Sequence, residues 1–287
     1  MVLKVDYVDA GVAVITFDNP PVNSLSSKQR ALFSEALQRI AERHDIKVVV
    51  VTGGALPFCG GAEIRECNTP AQIQAPMMHD LVEICDAYEK CIVAAIDGYA
   101  LGAGLELALA MHYRIATPDA RLALPEVNFG FLPRAGGTQR LPRLIAMEKA
   151  ARMMLTGAAV TGHEAEELGL VDEVVQGDVV DGARRFSRRF IELGVPPRRT
   201  RDLPVKVDSV HVQELFAGLR ADVLRTFPED NGRQFMIDCC EATTKLTFEE
   251  GLRVERERYL NLMLLRRIGG MAVDPFVVSD LSSLDLG

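Results

Sequence analysis

Three segments of the chain put glycine beside residues that could do chemistry. They are Phe58-Cys59-Gly60-Gly61-Ala62-Glu63-Ile64, Gly98-Tyr99-Ala100-Leu101-Gly102-Ala103-Gly104-Leu105-Glu106-Leu107, and Leu124-Pro125-Glu126-Val127-Asn128-Phe129-Gly130. The third runs on to Ala135-Gly136-Gly137-Thr138-Gln139-Arg140-Leu141-Pro142-Arg143. Glycine lets a backbone approach a ligand closely, and backbone N–H groups held in place can stabilise a negative charge developing on an oxygen. Glu106 and Glu126 stand 20 residues apart (126 − 106), one in the second segment and one in the third. Two carboxyls that bracket one water can take a proton from it and deliver another elsewhere. Brought close together they cannot both ionise freely, so one pKa must rise. Singly, each segment has a plainer explanation. A glycine turn can serve packing alone, and a glutamate there can be a charge at a helix N-terminus.

Each segment follows a stretch that reads as a strand. Val12–Phe17 is a short apolar run ending at Asp18-Asn19-Pro20-Pro21, and residues 48–51 are a β-branched run closed by Gly53-Gly54. Residues 92–96 form a third such run, ending at Asp97-Gly98. Runs of this kind fit strands covered on both faces, as in a parallel sheet. Between them lie helical patterns. Ser26-Ser27 can cap a helix that places Leu32, Phe33, Ala36, Leu37 and Ile40 on one side. Met78, Leu81, Val82, Cys85 and Tyr88 mark a second, and a third begins near Gly104 and runs toward Met111. Strand pieces near 113–116 and 122–124 follow. The alternation predicts an α/β domain with much parallel sheet and right-handed crossovers. After Gly137 the pattern is almost wholly helical. Pro196, Pro197 and Pro204 mark a boundary, which divides the chain into a core at 1–195 and a C-terminal helical region at 196–287. Residues 279–287 read as a frayed tail. The arginines clustered at 184–201 read as a solvated, acid-balanced helix face.

In order and wording these segments resemble the crotonase, or enoyl-CoA hydratase/isomerase, superfamily. The resemblance covers at least residues 10–175. It takes in Asn19-Pro20-Pro21-Val22-Asn23-Ser24-Leu25 and the run TGHEAEELGLVDEVV at 161–175. It implies a crotonase-type ββα spiral core with a C-terminal helical region. The implied oxyanion-hole amides are those of Gly60 and Ala103. Gly60, Gly61, Ala62, Glu63 and Ala103 would line the CoA and thioester site. The implied substrate is a 2-enoyl-CoA, with coenzyme A arriving as part of the acyl-CoA and no permanently bound cofactor. Glu106 would mainly hold and deprotonate the water and Glu126 mainly protonate the α-carbon, as a coupled pair whose roles can exchange. The sequence departs from the pattern at Cys59 (more often alanine), Ala103 (usually glycine), Glu63 (commonly aspartate) and Pro133-Arg134 (often Pro-Gly). Only a backbone amide is needed at 103, so Ala103 is expected to hold a negative φ.

From about Pro196 to Tyr259 the chain is most similar to the hydratase portion of the multifunctional β-oxidation enzymes. Pro197-Arg198-Arg199, Phe248-Glu249-Glu250-Gly251-Leu252 and Glu255 carry that likeness. No dinucleotide fingerprint follows, so no dehydrogenase half is expected in this chain. The superfamily resemblance implies trimers, often paired into hexamers, whereas the multifunctional relatives fold the helical region back on one chain. A homotrimer or hexamer is the expectation here.

The nearest rival is a Δ3,Δ2-enoyl-CoA isomerase, which needs one proton-shuttling carboxylate; the presence of both glutamates favours hydration. From another class, a non-catalytic crotonase-fold binding protein needs neither. None of His44, His79, His112, His163 or His211 lies in the three glycine-bearing segments, against a thioesterase or dehalogenase variant. The net charge of −8 argues against a nucleic-acid partner. The six cysteines show no zinc-type spacing, so no metal is expected. No apolar run reaches membrane-spanning length. Reduced thiols and a strand-like N-terminus without an apolar leader predict a cytoplasmic location.

Overall fold

A strand whose every residue is apolar must be covered on both faces. That requirement organises the computed structural model, which describes residues 3–9, 11–67 and 69–268. The tail expected at 279–287 lies outside the described residues. The chain opens with β1 (Leu3–Asp9) and β2 (Val12–Phe17), an antiparallel pair, followed by helix α1 (Ser27–Ala41). Ser26 caps α1 by accepting from the Gln29 N–H. Then come β3 (Val48–Thr52), α2 (Met78–Ala87), β4 (Cys91–Ile96), β5 (Tyr99–Leu101) and α3 (Ala103–Ala110). They are followed by β6 (Tyr113–Ala116), β7 (Arg121–Ala123), α4 (Gly137–Leu144), α5 (Met147–Thr156), β8 (Val160–Thr161) and α6 (Gly162–Leu168). The remainder is β9 (Glu173–Val174), α7 (Val179–Leu193), α8 (Val212–Thr226), α9 (Asn231–Thr243) and α10 (Phe248–Ile268).

The main sheet has the order β1-β2-β3-β4-β6-β9 and is parallel from β2 onward. Alternate residues serve two cores. Val12, Val14, Val48, Val50, Val93 and Ile115 pack toward α7 through Val179, Ala183 and Phe186. Ala13, Ile15, Val49, Val51, Ala94 and Ile96 face the larger core with α1, α2 and α3. A second, shorter layer lies above. There Leu25 bridges Ala62, Cys59 bridges Ala100, β5 pairs with β7, and β7 pairs with β8. Each turn of the chain contributes a main-sheet strand, a short second-layer piece and a helix. This is the crotonase-type ββα spiral expected from the sequence.

The second layer explains one glycine. A Cβ built on Gly104 would stand 2.6 Å from the Cys59 carbonyl oxygen and 2.8 Å from its Sγ. Only glycine lets the start of α3 lie flat against the 58–61 segment.

The C-terminal helices lie against the core of their own chain. Helix α9 packs on α4 and α5, and α10 packs on α9 and touches α4. Phe216, Leu219, Val223, Met236, Ile237, Cys240 and Leu262 join the larger core. The proline-marked stretch ahead of them is tied down along its length. Tyr113 Oη donates to the Pro196 carbonyl at 3.1 Å, Arg199 Nε to the Asp86 carbonyl at 2.8 Å, and the Lys206 N–H to the Pro142 carbonyl at 2.9 Å. The arginine cluster is largely matched by acids: Arg184 and Arg188 pair with Asp9, Arg189 with Glu173, Arg198 with Asp172 and Arg201 with Glu249. Among the described residues no helix is long and apolar enough to cross a membrane.

Gly104→Ala should destabilise the protein by about 1–3 kcal/mol, the usual cost of overpacking, because the methyl meets backbone. Urea denaturation measures this; an unchanged midpoint would show that the two glycine-bearing segments can move apart freely.

Candidate active site

The second layer brings the first and second glycine segments side by side. The Phe58 N–H donates to the Asp97 carbonyl at 2.9 Å, Cys59 to Tyr99 at 3.0 Å, and Leu101 back to Cys59 at 3.0 Å. Gly61 holds φ +111°, and a Cβ there would come 3.0 Å from the Leu101 carbonyl oxygen and 3.9 Å from the Ala103 nitrogen. Gly102, at φ 52° and ψ −124°, makes the sharp bend that starts α3. Ala103 follows as the first residue of that helix, where an N–H has no partner within its own helix. Among the described non-glycine residues only Asn23 has a positive φ, so Ala103 sits in an ordinary conformation, as expected. The Gly60 N–H donates to the Val22 carbonyl at 2.7 Å. A substrate oxygen at Gly60 would have to share that donor or displace Val22.

Glu106 falls in the first turn of α3 and is 1% exposed. Its Oε1 accepts from the Ala135 and Gly137 N–H groups, both at 2.8 Å. Burial raises its pKa, while those two donors and the nearby Arg134 and Arg140 oppose the rise. Glu126 opens a single 3₁₀ turn, Glu126–Phe129, after β7. Its Oε1 lies 3.0 Å from where a Gly102 Cβ would be, and its Oε2 is shielded from solvent without a hydrogen-bond partner. Burial and then the charge of Glu106 raise its pKa well above the usual range. The two carboxyls are therefore neighbours with opposite surroundings: Glu106 is provided with donors for its anion, and Glu126, with Oε2 unpartnered, is pushed toward its neutral form.

A third carboxyl lies beside them. Glu255 of α10 is 2% exposed and accepts from the Gly136 N–H at 2.7 Å, the Thr138 N–H at 3.1 Å and the Thr138 hydroxyl at 2.5 Å. Burial, then the charge of Glu106, pushes its pKa up to about 8. The sequence motif contained Glu255 but gave it no role in the site. The available signal was its phase: with Phe248, Gly251 and Leu262 it occupies the buried stripe of α10, where a carboxylate is out of place. The Arg140–Asp86 pair was also not anticipated. It is buried on both sides, and Arg140 also donates to the Ala135 carbonyl at 2.9 Å.

The remaining expected site residues serve the surrounding loops. Ala62 is the bridge partner of Leu25. Glu63 accepts from Ser24 Oγ at 2.7 Å and from Arg65 Nε and Nη2 at 2.9 Å, and the Arg65 guanidinium beside it is the main cause of a pKa near 2. That carboxylate ties two loops together. The segment at 69–76 is latched to α1 by buried Arg30, which donates to the Pro76, Ala71 and Gln74 carbonyls. Burial pushes the Cys59 thiol up to about 12, so it is no nucleophile.

Residues 8–196 match a family model described as enoyl-CoA hydratase/isomerase. The chain is 38% identical over 260 residues to the peroxisomal bifunctional enzyme of Danio rerio. It is 37% identical over 262 residues to the glyoxysomal fatty acid beta-oxidation multifunctional protein MFP-a of Cucumis sativus. Each match takes in 88% of this chain, but the chain spans only 35% and 36% of those relatives' lengths. Among solved structures it resembles an enoyl-CoA hydratase from Mycobacterium smegmatis, with a TM-score of 0.62 and 28% identity, covering 92% of this chain and 99% of the other. An enoyl-CoA hydratase from Bacillus anthracis gives 0.60 and 27%, covering 94% of each. These relatives overturn the cytoplasmic location expected from the sequence, because the multifunctional enzymes are named as peroxisomal or glyoxysomal. Buried thiols do not separate the cytosol from an organelle addressed by other signals.

The three glutamates make stability depend on pH. Each has a folded pKa above its unfolded value, so the stability they allow is complete below about pH 4.5 and is lost as pH rises through the folded values. His112, lowered by burial to about 4, acts in the opposite sense, but only as pH falls below 6.5. From pH 6.5 to 8 the glutamates are left to act alone in this set. The melting temperature of Glu126→Gln should therefore gain on wild type as pH rises across that window. Calorimetry checks this; parallel curves for the two proteins would mean that Glu126 is not held neutral.

Proposed function

This chain belongs to the enoyl-CoA hydratase/isomerase family, and we propose that it hydrates 2-enoyl-CoA thioesters to 3-hydroxyacyl-CoA. The observation that carries the reading is the pair of buried carboxyls with opposite surroundings. Hydration needs one ionised and one protonated carboxyl at the start. Glu106, supplied with two N–H donors, is the base that holds the water and removes its proton. The hydroxide adds to the β-carbon, and the π electrons move toward the thioester oxygen. Glu126, kept neutral, delivers its proton to the α-carbon. Each turnover leaves Glu106 protonated and Glu126 ionised, and a proton passing back between the neighbours or through solvent restores the pair.

The negative charge on the thioester oxygen is met by the Ala103 N–H at the start of α3, where the helix dipole is also favourable. The second donor would come from the neighbouring first segment, whose Gly60 N–H is taken up by the Val22 carbonyl in this structure. Gly60, Gly61 and Ala62 form the adjacent wall for the thioester. An isomerase shuttle needs one ionised carboxylate, and the presence of both Glu106 and Glu126 favours hydration. The names of the relatives suggest the setting, fatty acid β-oxidation in a peroxisome-type organelle.

Crotonyl-CoA and longer 2-enoyl-CoAs should lose their conjugated ultraviolet absorbance when mixed with the protein; no loss with any of them would overturn the reading. Glu106→Gln and Glu126→Gln should each lower kcat by about 10²–10⁴-fold with KM little changed. Ala103 sits where proline is tolerated in a helix, so Ala103→Pro removes the donor and spares the fold. It should lower kcat by about 10²–10³-fold, while Ala103→Gly stays within a few-fold. Equal turnover by Ala103→Pro and Ala103→Gly would rule out this amide as an oxyanion donor.

A further inference from the structure

Four consecutive backbone N–H groups, from Ala135 to Thr138, are divided alternately between two buried carboxyls. Ala135 and Gly137 donate to Glu106, and Gly136 and Thr138 donate to Glu255. The Thr138 hydroxyl also donates to Glu255. Glu255 arrives from α10, 119 residues beyond Gly136. A helix that needed only to pack on α9 and α4 would do so at lower cost with an apolar residue, since a buried carboxyl is often no better than a well-packed hydrophobe. All three of these donors to Glu255 belong to Gly136 and Thr138. Its anchor is extended by Thr138 and Gln139: Gln139 Nε2 donates to Thr138 Oγ at 2.9 Å, and Thr243 of α9 donates to Gln139 Oε1 at 3.1 Å.

We infer that Glu255 is a positioning residue for the hydration reaction: α10, through this carboxyl, fixes the 135–138 loop so that the Ala135 and Gly137 amides converge on Glu106. The inference rests on the reading of Glu106 as the base that holds the water. The C-terminal helices then do more than cover the core. They complete a site whose proton-transferring residues all lie elsewhere in the chain. Releasing Gly136 and Thr138 lets the loop shift and Glu106 swing from its water. A displacement on the order of 1 Å at a reacting group can cost about 10²-fold in rate.

The test uses the full chain and five variants. Glu255→Gln keeps the size but turns an amide NH₂ toward an N–H donor, so it loses an anchor. It should lower kcat by about 10- to 100-fold with KM within about threefold of wild type. Thr138→Val, without the hydroxyl, should shift kcat the same way and less far, and Thr138→Ser should restore it. In a Glu106→Gln background, Glu255→Gln should cost almost nothing further, because the residue it positions is already disabled. Wild-type kcat in Glu255→Gln, or a loss that simply multiplies that of Glu106→Gln, would overturn the inference. Circular dichroism at the assay temperature separates misfolding from misplacement, and the Thr138 pair carries the test if Glu255→Gln does not fold. An inactive wild-type chain would instead bring down the functional reading, and this inference with it.

Discussion

A carboxyl removed from water must find donors for its anion or keep its proton. Glu106 and Glu255 find donors in one short loop, though burial and the charge of Glu106 still push Glu255 up to about 8, while Glu126 Oε2 is shielded without a donor and its pKa is raised well above the usual range. The division of labour in the site follows from that difference. It also dictates the loop's sequence. Gly136 sits at φ +90°, and a Cβ on Gly137 would press 2.9 Å from Glu106 Oε1. The chain is thus bent so that neighbouring amides face opposite sides, which a run of side-chain-bearing residues would resist.

The spiral supplies the rest of the geometry. Because β2, β3, β4 and β6 run parallel, their C-terminal ends lie at one edge of the sheet, and each leads into a second-layer piece there. The 58–61 segment and the start of α3 meet in that layer, as do Gly102 and Glu126. Arg140 links the following helix to Asp86 on α2 and to the Ala135 carbonyl, so the loop that feeds Glu106 is gripped from α2 as well as from α10. The helices that close the chain are part of the same core as the sheet. Their fold-back buries Glu255.

Much of this was legible in the sequence. The β-branched runs at β3 and β4 announced strands covered on both faces, since no polar residue alternates with the apolar ones. Ser26 announced the start of α1 through its capping hydroxyl. The glycine-bearing segments, with Glu106 and Glu126 at fixed spacing, marked the family and the candidate site. The negative φ of Ala103 followed from the strain that a positive one would impose on a side chain. Cell location was misread, because thiol burial reports on packing and not on compartment.

What the sequence determined by itself was local: which stretches could be strands or helices, where turns required glycine, and which two carboxyls could serve as an acid–base pair. These properties depend on nearest neighbours and on periodicity along the chain. Tertiary structure alone decided how each group's electrostatic surroundings differ. The Gly60 amide faces the Val22 carbonyl, Glu63 is taken up by Ser24 and Arg65, and Glu255 reaches Gly136 across 119 residues of chain. Hydrogen-bond partners and desolvation depend on what folds against a residue, and no spacing along the chain encodes the donor that arrives from a distant helix.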